Sequence, residues 1–394
     1  MGRFKGLDEG SGRFVIPDHI WLEIARETHD AIQHIPSAFV GAIPDLINAR
    51  DRWTADIWAF WFIYIAPIVL HGRFRDDKYY HHLCDLTFII SATLKLEITR
   101  AELLGLRIKI ISWVERYEEY YYQYKEHRLS TCLLVVHGLL HIVDNILNAG
   151  PMWATWSFFM ERFCGTLQRA LHSRSHPLSY LHGPCLRQYT PSQPIRRIIA
   201  AYLVTLIGGQ RAHIEKALPY MIPAWGKVRV GHGGDSIRAM LASRTRLGAS
   251  ERNSSFVRYE IVVFDRGTGK DARQVQYGEL LAILELAFDP TQPVWKHLGG
   301  TSLLLAIITP CRTKGEDATK TLTLYRKTLA DVVVDLHAVQ AVVGRVKSRK
   351  HWGIIDRSND VARTIFTVDE QTLYSDDTDS DSGQDDLPVA PEEE

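Results

Sequence analysis

The chain predicts an α+β fold: a large, mostly helical N-terminal domain, a small β-rich domain of barrel or sandwich type, and a disordered acidic tail. Three observations carry this expectation. Apolar residues recur at three- and four-residue spacing through five segments between 57 and 171. From about 255 to 369 the pattern turns to period two and short apolar runs. After Tyr374 the chain is dominated by Ser, Asp and Glu, too polar to bury a core. The expected divisions are a flexible start (1–13), a helical domain (14–225), a basic Gly/Ser/Arg linker (226–254), the β-rich domain (255–370) and the tail (371–394).

The helical segments are 57–70, 83–96, 103–121, 133–147 and 156–171. The first, IWAFWFIYIAPIVL, is only 14 residues long, against the ~20 that a membrane helix requires. Asp56 and His71-Gly72-Arg73 bound it and Pro67 interrupts it, so it predicts a buried core helix. Thr99 stands three residues before Glu102, the pattern of a capping box. Gly150-Pro151 stops the fourth helix, and Pro177 follows the fifth. Gly226, Gly231, Gly233 and Gly234, with Ser and Arg around them, read as the linker. Strands are expected over 256–264, 275–286, 303–309, 322–324, 332–336, 339–346, 354–355 and 364–368. Arg266-Gly267-Thr268-Gly269-Lys270 forms the turn between the first two. Many short strands at close intervals suggest a small barrel or sandwich.

Composition narrows the function classes. Hydrophobic residues make up 46% of the chain, which excludes a mostly disordered protein. Five cysteines at wide spacing exclude a small disulfide scaffold and read as reduced thiols. The N-terminus has no apolar stretch of signal-peptide type. Gly6 stands where a myristoylation site has Ser or Thr. Asn253-Ser254-Ser255 matches a glycosylation sequon but has no secretion signal to support it. The formal net charge is zero, yet nine acidic residues and no Lys or Arg lie between Asp376 and Glu394. Without them the body has 46 basic against 37 acidic residues. A basic body with an acidic tail suits a protein that meets nucleic acid or chromatin; a solvated surface with a solubilising tail is the plainer alternative.

Familiar catalytic motifs are missing. The glycines before Lys270 lack the upstream Gly of a P-loop, and neither a Rossmann fingerprint nor a Gly-x-Ser-x-Gly elbow occurs. His137 and His141 stand four apart on one helix face, but Gly138 replaces the Glu of a zincin. They read either as metal ligands or as core histidines with hydrogen-bonded rings. His81, His82 and Cys84 form one further cluster, and His172, His176 and His182 another; none has paired CxxC spacing. The Tyr120–Tyr124 run could stack on bases, but at helical spacing a packed aromatic face is the stronger expectation.

The stretch from Gly150 to Tyr189 is the most informative. Glu161 sits among Trp156, Phe158, Phe159 and Phe163, where a carboxylate is costly to bury without a partner. Between Arg162 and Arg252 there are 14 basic residues against three acidic ones, the signature of a polyanion-facing surface. The alternative is that these arginines pair with acidic residues elsewhere, such as Glu115, Glu118 and Glu119.

GPMWATWSFFMERFCGTLQRALHSRSHP resembles a segment of fungal and plant CACTA (En/Spm-like) transposases, G-P-x-x-x-x-W-x-F-x-x-E-R-F-x-G-x-L-x-R with x-R-x-H-P following. It lies in the helical domain after the transposase core. Upstream, HGLLHIVDNILNAGP also fits that domain. VQAVVGRVKSRKHWGIIDRSNDVARTIF resembles the C-terminal β domain of fungal members. The likeness runs from about Trp21 to Val368. It implies a nuclear, RNase H-like, two-metal transposase in which two Asp and one Glu hold divalent ions. Glu161 is carried over as the third carboxylate and metal ligand, with Arg162 orienting it or touching phosphate. His141 falls on the family's histidine position. The family's two catalytic Asp lie upstream of the helical domain, and Asp8, Asp18, Asp30 and Asp45 show no matching strand-end context. The resemblance therefore implies a transposon-derived chain inactive on its own. No cofactor is expected for it, and Mg²⁺ or Mn²⁺ only if the core is supplied in trans. The expected DNA-binding residues are Arg162, Arg169, Arg174, Arg187, Arg196, Arg197, Arg349 and Lys350. Expected partners are DNA and, through the acidic tail, basic nuclear proteins, with no membrane. A chromatin-associated interaction module, or half of a transposase completed in trans, is the alternative.

Overall fold

A computed structural model describes residues 7, 12–41, 43–154, 185–229, 236–243, 252–265 and 269–358. The fold class is α+β, with helices concentrated in the first half and antiparallel strands in the second. The expected helix 156–171, the strand 364–368 and the acidic tail lie outside the described residues.

Helix α1 (Asp18–Ala31) buries Ile24, Ala25, Thr28 and Ala31 along one face. The expected 57–70 helix is divided into α2 (Ala55–Phe60), a π-helical turn (Trp61–Ile65) and α3 (Ala66–Val69). Pro67 has no N–H to offer the preceding turn, and the wide turn just before it accommodates the missing bond. Trp61 is fully buried, and its Nε1 donates to Thr28 Oγ1 at 3.1 Å, which satisfies the indole N–H inside the core. The run is thus a core element. Among the described residues no helix is long and apolar enough to cross a membrane.

Helices α4 (Asp77–Thr93), α5 (Arg100–Tyr117), α6 (Leu134–Leu139) and α7 (Ile142–Ala149) follow. The capping box forms at α5. Thr99 Oγ1 accepts from Glu102 N–H at 3.2 Å, and Glu102 Oε2 accepts from Thr99 N–H at 2.8 Å. The expected 133–147 helix breaks at Leu140–His141. These helices bury a core of their own around Leu106, Ile110, Trp113, Val143 and Ile146. The tyrosine run is largely a packed face: Tyr121 lies against Phe14, Tyr79 and Tyr117, while Tyr124 is exposed.

The strands are β1 (Cys185–Tyr189), β2 (Ile222–Trp225), β3 (Lys227–Arg229), β4 (Ser236–Arg238), β5 (Phe256–Asp265) and β6 (Lys270–Ala287). They continue with β7 (Ser302–Pro310), β8 (Leu324–Tyr325), β9 (Val332–Asp335), β10 (Val339–Val342), β11 (Gly344–Ser348) and β12 (His351–Ile355). Seven of them form one antiparallel sheet in the order β1-β2-β6-β5-β10, with β7 on β6 and β9 on β7. The 18-residue β6 is its spine. Its first half pairs with β5, and its second with β7 and, at Ile283 and Leu284, with β2; a register shift between Leu280 and Ala282 separates the halves.

Helices cover both faces of this sheet. Leu280, Ile283, Ala306, Ile308 and Val334 join the core of α1–α3. Ala282, Leu284, Leu286, Leu305, Ile307 and Val333 face the other way, onto α8 (Gln193–Ile207), α9 (Arg211–Ala217) and Trp295. The β region is a strongly coiled sheet: β9 and β10 end the run β9-β7-β6-β5-β10 yet are joined by only Leu336–Ala338, so the sheet curls back toward the expected barrel-like form, with helices against it. The expected boundary between a helical domain (14–225) and a β domain (255–370) also dissolves, because Ile24, Trp61, Val257 and Ile308 belong to one core. The expected linker 226–254 holds β3 and β4, and Ile237 in β4 is fully buried. Three-residue strands among glycines carry too little pattern to be read as strands.

Beside the large sheet lies a three-stranded one, β11-β12-β8. The predicted strand 339–346 divides at Val343, where the chain passes from β5's neighbour to β12's. Gly353 on β12 lies so close to α3 that a Cβ there would stand 2.7 Å from the Ile68 side chain. After β12, the fully buried Asp356 side chain accepts from Arg258 Nη1 at 2.8 Å and Tyr277 Oη at 2.7 Å, and Arg258 also reaches Asp317 at 3.0 Å. This ties the end of the three-stranded sheet to β5 and β6. Asp356→Ala leaves the Arg258 guanidinium short of its buried partner. It is expected to destabilise the chain by about 3–5 kcal/mol in urea unfolding; a loss below ~1 kcal/mol would contradict this role.

His82, 2% exposed, is stacked on Trp113 at 4.4 Å between ring centroids. Its Nε2 donates to Trp113 O at 3.1 Å, and Trp113 Nε1 donates to His82 O at 2.8 Å. Burial lowers its pKa from 6.5 to about 4, so the folded protein holds it neutral. The unfolded chain takes up the proton first as pH falls. The resulting stability is therefore complete above pH 6.5 and is lost between 6.5 and about 4. The difference corresponds to roughly 3 kcal/mol. Between pH 7 and 4 the wild type should lose about that much more unfolding free energy than His82→Gln. Parallel pH profiles would refute the assignment.

Candidate nucleic-acid interface

The expected site residues separate once placed in the fold. Glu161, Arg162, Arg169 and Arg174 lie outside the described residues. Arg187 is on β1, which pairs with β2. Arg196 is bound internally: its guanidinium donates to the carbonyls of Pro219 at 2.6 Å, Leu218 at 2.8 Å and Glu215 at 3.2 Å, closing the C-terminal end of α9. Arg197 stands 3.9 Å from Glu215 with an exposed side chain. Arg252, in the same basic stretch, donates to the carbonyls of Val40 and Gly41 at 2.6 and 2.8 Å. The described partners of these arginines are thus mostly main-chain oxygens. Among the described residues, no ion pair joins Arg196, Arg197 or Arg252 to Glu115, Glu118 or Glu119.

Arg349 and Lys350 do come together with other cations. They form the two-residue turn of the β11–β12 hairpin, between the paired Ser348 and His351. Residues 344–355 contain Arg345, Lys347, Arg349 and Lys350 and no carboxylate. Cross-strand pairing sets Lys347 opposite Trp352 and Trp352 opposite Tyr325, so Arg326 and Lys327 follow directly beside the hairpin. Lys347, Arg349, Lys350, Arg326 and Lys327 are all exposed.

The hairpin is held from its other side. Ser348 Oγ donates to Glu27 Oε2 at 2.9 Å, and Arg349 N–H donates to Glu27 Oε1 at 3.0 Å. Glu27 also takes Arg73 Nη2 at 2.6 Å, so this carboxylate of α1 anchors the turn and is already shared. Arg349 has φ 52°, the left-handed region, at a turn position where glycine is favoured. Its backbone bond to Glu27, and the guanidinium's bond to His71 O, hold it there.

The face of the hairpin that carries Arg345 and Lys347 mixes cations with rings, from the buried Phe256 outward to the half-buried Trp352. The Arg345 guanidinium carbon lies 3.4 Å from the Phe256 ring centroid and 4.2 Å from that of Trp352, and Lys347 Nζ lies 5.8 Å from the latter. Arg345 Nη1 donates to Tyr325 Oη at 3.2 Å. On the opposite face, that of Ser348, Arg326 Nε donates to His351 Nε2 at 2.6 Å, which fixes that imidazole as neutral with its proton on Nδ1. The imidazoles register the local field. His351 is lowered by burial and then by Arg326, Arg349 and His71. His34, edge-on to Trp352 at 4.9 Å, is lowered to about 4 by burial and then by Arg345, with Asp30 opposing. A surface of this kind can bind phosphate oxygens and offer a partly exposed ring beside them.

Of the residues expected to bind DNA, Arg349 and Lys350 stand in this cluster; its other cations, Arg326, Lys327 and Lys347, were not among those expected. The alternation in Arg345-Val346-Lys347-Ser348 was the available signal, since it places basic side chains on one face of a strand. The approach of Arg326 depends on β8 pairing with β12, which no local pattern announces.

The histidine clusters resolve differently. His82 is a core residue, and among the described residues no group of three His, Cys, Asp or Glu is arranged to hold a metal. His137 and His141 are exposed, so they are not core histidines. His172, His176 and His182 lie outside the described residues.

Searches for related proteins give no match to a family model, to a curated protein or to a solved structure.

Proposed function

We propose that this chain is a transposon-derived nucleic-acid-binding protein that engages the DNA backbone through the β11–β12 hairpin and does not cut DNA by itself. The observation that carries this reading is the exposed cluster of Lys347, Arg349, Lys350, Arg326 and Lys327 around one rigidly anchored turn. The resemblance of Gly150–Pro177 and of Val339–Phe366 to CACTA transposases supplies the DNA class. Glu161 alone matches the family's three carboxylates, and a single carboxylate does not assemble a two-metal centre. Phosphate contacts from Lys and Arg position a protein without reading sequence, so the reading is one of backbone binding. Trp352, flanked by Arg345 and Lys347, would rest against a sugar or an unpaired base.

Salt titration of binding to a duplex of about 20–30 base pairs tests the proposal. Each phosphate contact contributes about −0.9 to the slope of log K against log salt. The triple variant Lys327→Gln, Lys347→Gln, Lys350→Gln removes three exposed charges without touching the anchoring bonds. Its slope should be shallower by roughly 2–3, with affinity at least ~10-fold weaker at low salt. An unchanged slope and affinity would place binding elsewhere or deny it. Mg²⁺- or Mn²⁺-dependent cleavage by the purified chain, lost in Glu161→Ala, would overturn the non-cutting part.

A further inference from the structure

The pair His137 and His141 has no part in the hairpin surface. His137 lies in the last turn of α6, and His141 is the residue before α7. The chain between them turns through i→i+3 bonds, Leu140 N–H to His137 O at 3.0 Å and His141 N–H to Gly138 O at 3.2 Å. Both rings are exposed, yet each directs Nε2 at the other, 3.2 Å apart, with ring centroids at 5.0 Å and planes at 72°. Exposed imidazoles have water available on every side. Convergence of two lone-pair-bearing atoms is the arrangement that a shared electrophile requires.

We propose that His137 and His141 chelate a divalent transition ion of borderline character, Cu²⁺, Ni²⁺ or Zn²⁺, through their two Nε2 atoms. With metal–nitrogen bonds of about 2.0–2.1 Å, a 3.2 Å separation gives an N–metal–N angle of about 100°, between the octahedral and tetrahedral values. Imidazole nitrogen suits these ions, whereas Mg²⁺ and Ca²⁺ prefer oxygen. The nearby carboxylate Asp144 is bonded to Arg107 and is not counted as a ligand. Among the described residues no third His, Cys, Asp or Glu completes a set, so water fills the remaining positions. Gly138 occupies the place of a zincin's glutamate, which makes the site a binding site without a general base beside it.

Calorimetric titration of the full chain with Cu²⁺, Ni²⁺ and Mg²⁺ tests this, together with His137→Gln, His141→Gln and the double variant. Both side chains are exposed, so circular dichroism should show all variants folded. One equivalent of Cu²⁺ should bind more tightly than Ni²⁺, following the usual order of divalent affinities, and Mg²⁺ should not compete. Each single variant should weaken that equivalent at least ~10-fold, since a chelate becomes a single ligand, and the double variant should lose it. Electron paramagnetic resonance of the bound Cu²⁺ should report two imidazole nitrogens. Retention of the same equivalent by the double variant would overturn the site and leave a plain ring-to-ring hydrogen bond. A signal from one nitrogen, or from more than two, would equally overturn the two-ligand chelate.

Discussion

The fold depends on one strand that is apolar on both faces. In the second half of β6, Ile283 enters the core shared with α1–α3, while Ala282, Leu284 and Leu286 enter the core shared with α8 and α9. A strand exposed to water on one side would alternate apolar and polar residues; one covered on both sides need not. β7 and β9 repeat the arrangement, with Ala306 and Ile308 on one side and Leu305 and Ile307 on the other. This requires helices on both faces, and chain segments distant in sequence supply them.

The basic hairpin is a consequence of that layering. Helix α1 packs on the large sheet and presents Glu27 at its outer side, where it receives Ser348, the Arg349 backbone and Arg73 together. Asp356 fastens the far end of the same small sheet to Arg258 and Tyr277. The small sheet is thus held at both ends, by Glu27 at the turn and by Asp356 beyond β12. The cations left over point outward. Surface charges presented on a fixed backbone lose less conformational freedom on binding than charges on a loose tail.

The parts legible in the sequence were those with local causes. The Thr99/Glu102 box, the interruption at Pro67 and the long apolar runs of β5, β6 and β7 each follow from neighbouring residues. The parts that were not legible arise from pairing at a distance. β1 and β2 belong to the large sheet although they sit inside a helical stretch, and Ile237 is buried although glycines surround it in sequence. Arg196 and Arg252 looked like free surface charge because nothing in a sequence shows a main-chain carbonyl in need of a donor. Arg349 and Lys350 were visible as a basic turn, but their company, Arg326 and Lys327, arrives through strand pairing. His137 and His141 were visible as a pair, and their exposure was not.

Hydrogen–deuterium exchange of the full chain, with and without duplex DNA, tests the central claim most directly. The account predicts new protection concentrated at 345–352 and 326–327, with the β6–β7 amides already protected in the free protein. Protection confined to 193–229, or exchange unchanged by DNA at concentrations that saturate other basic proteins, would contradict it.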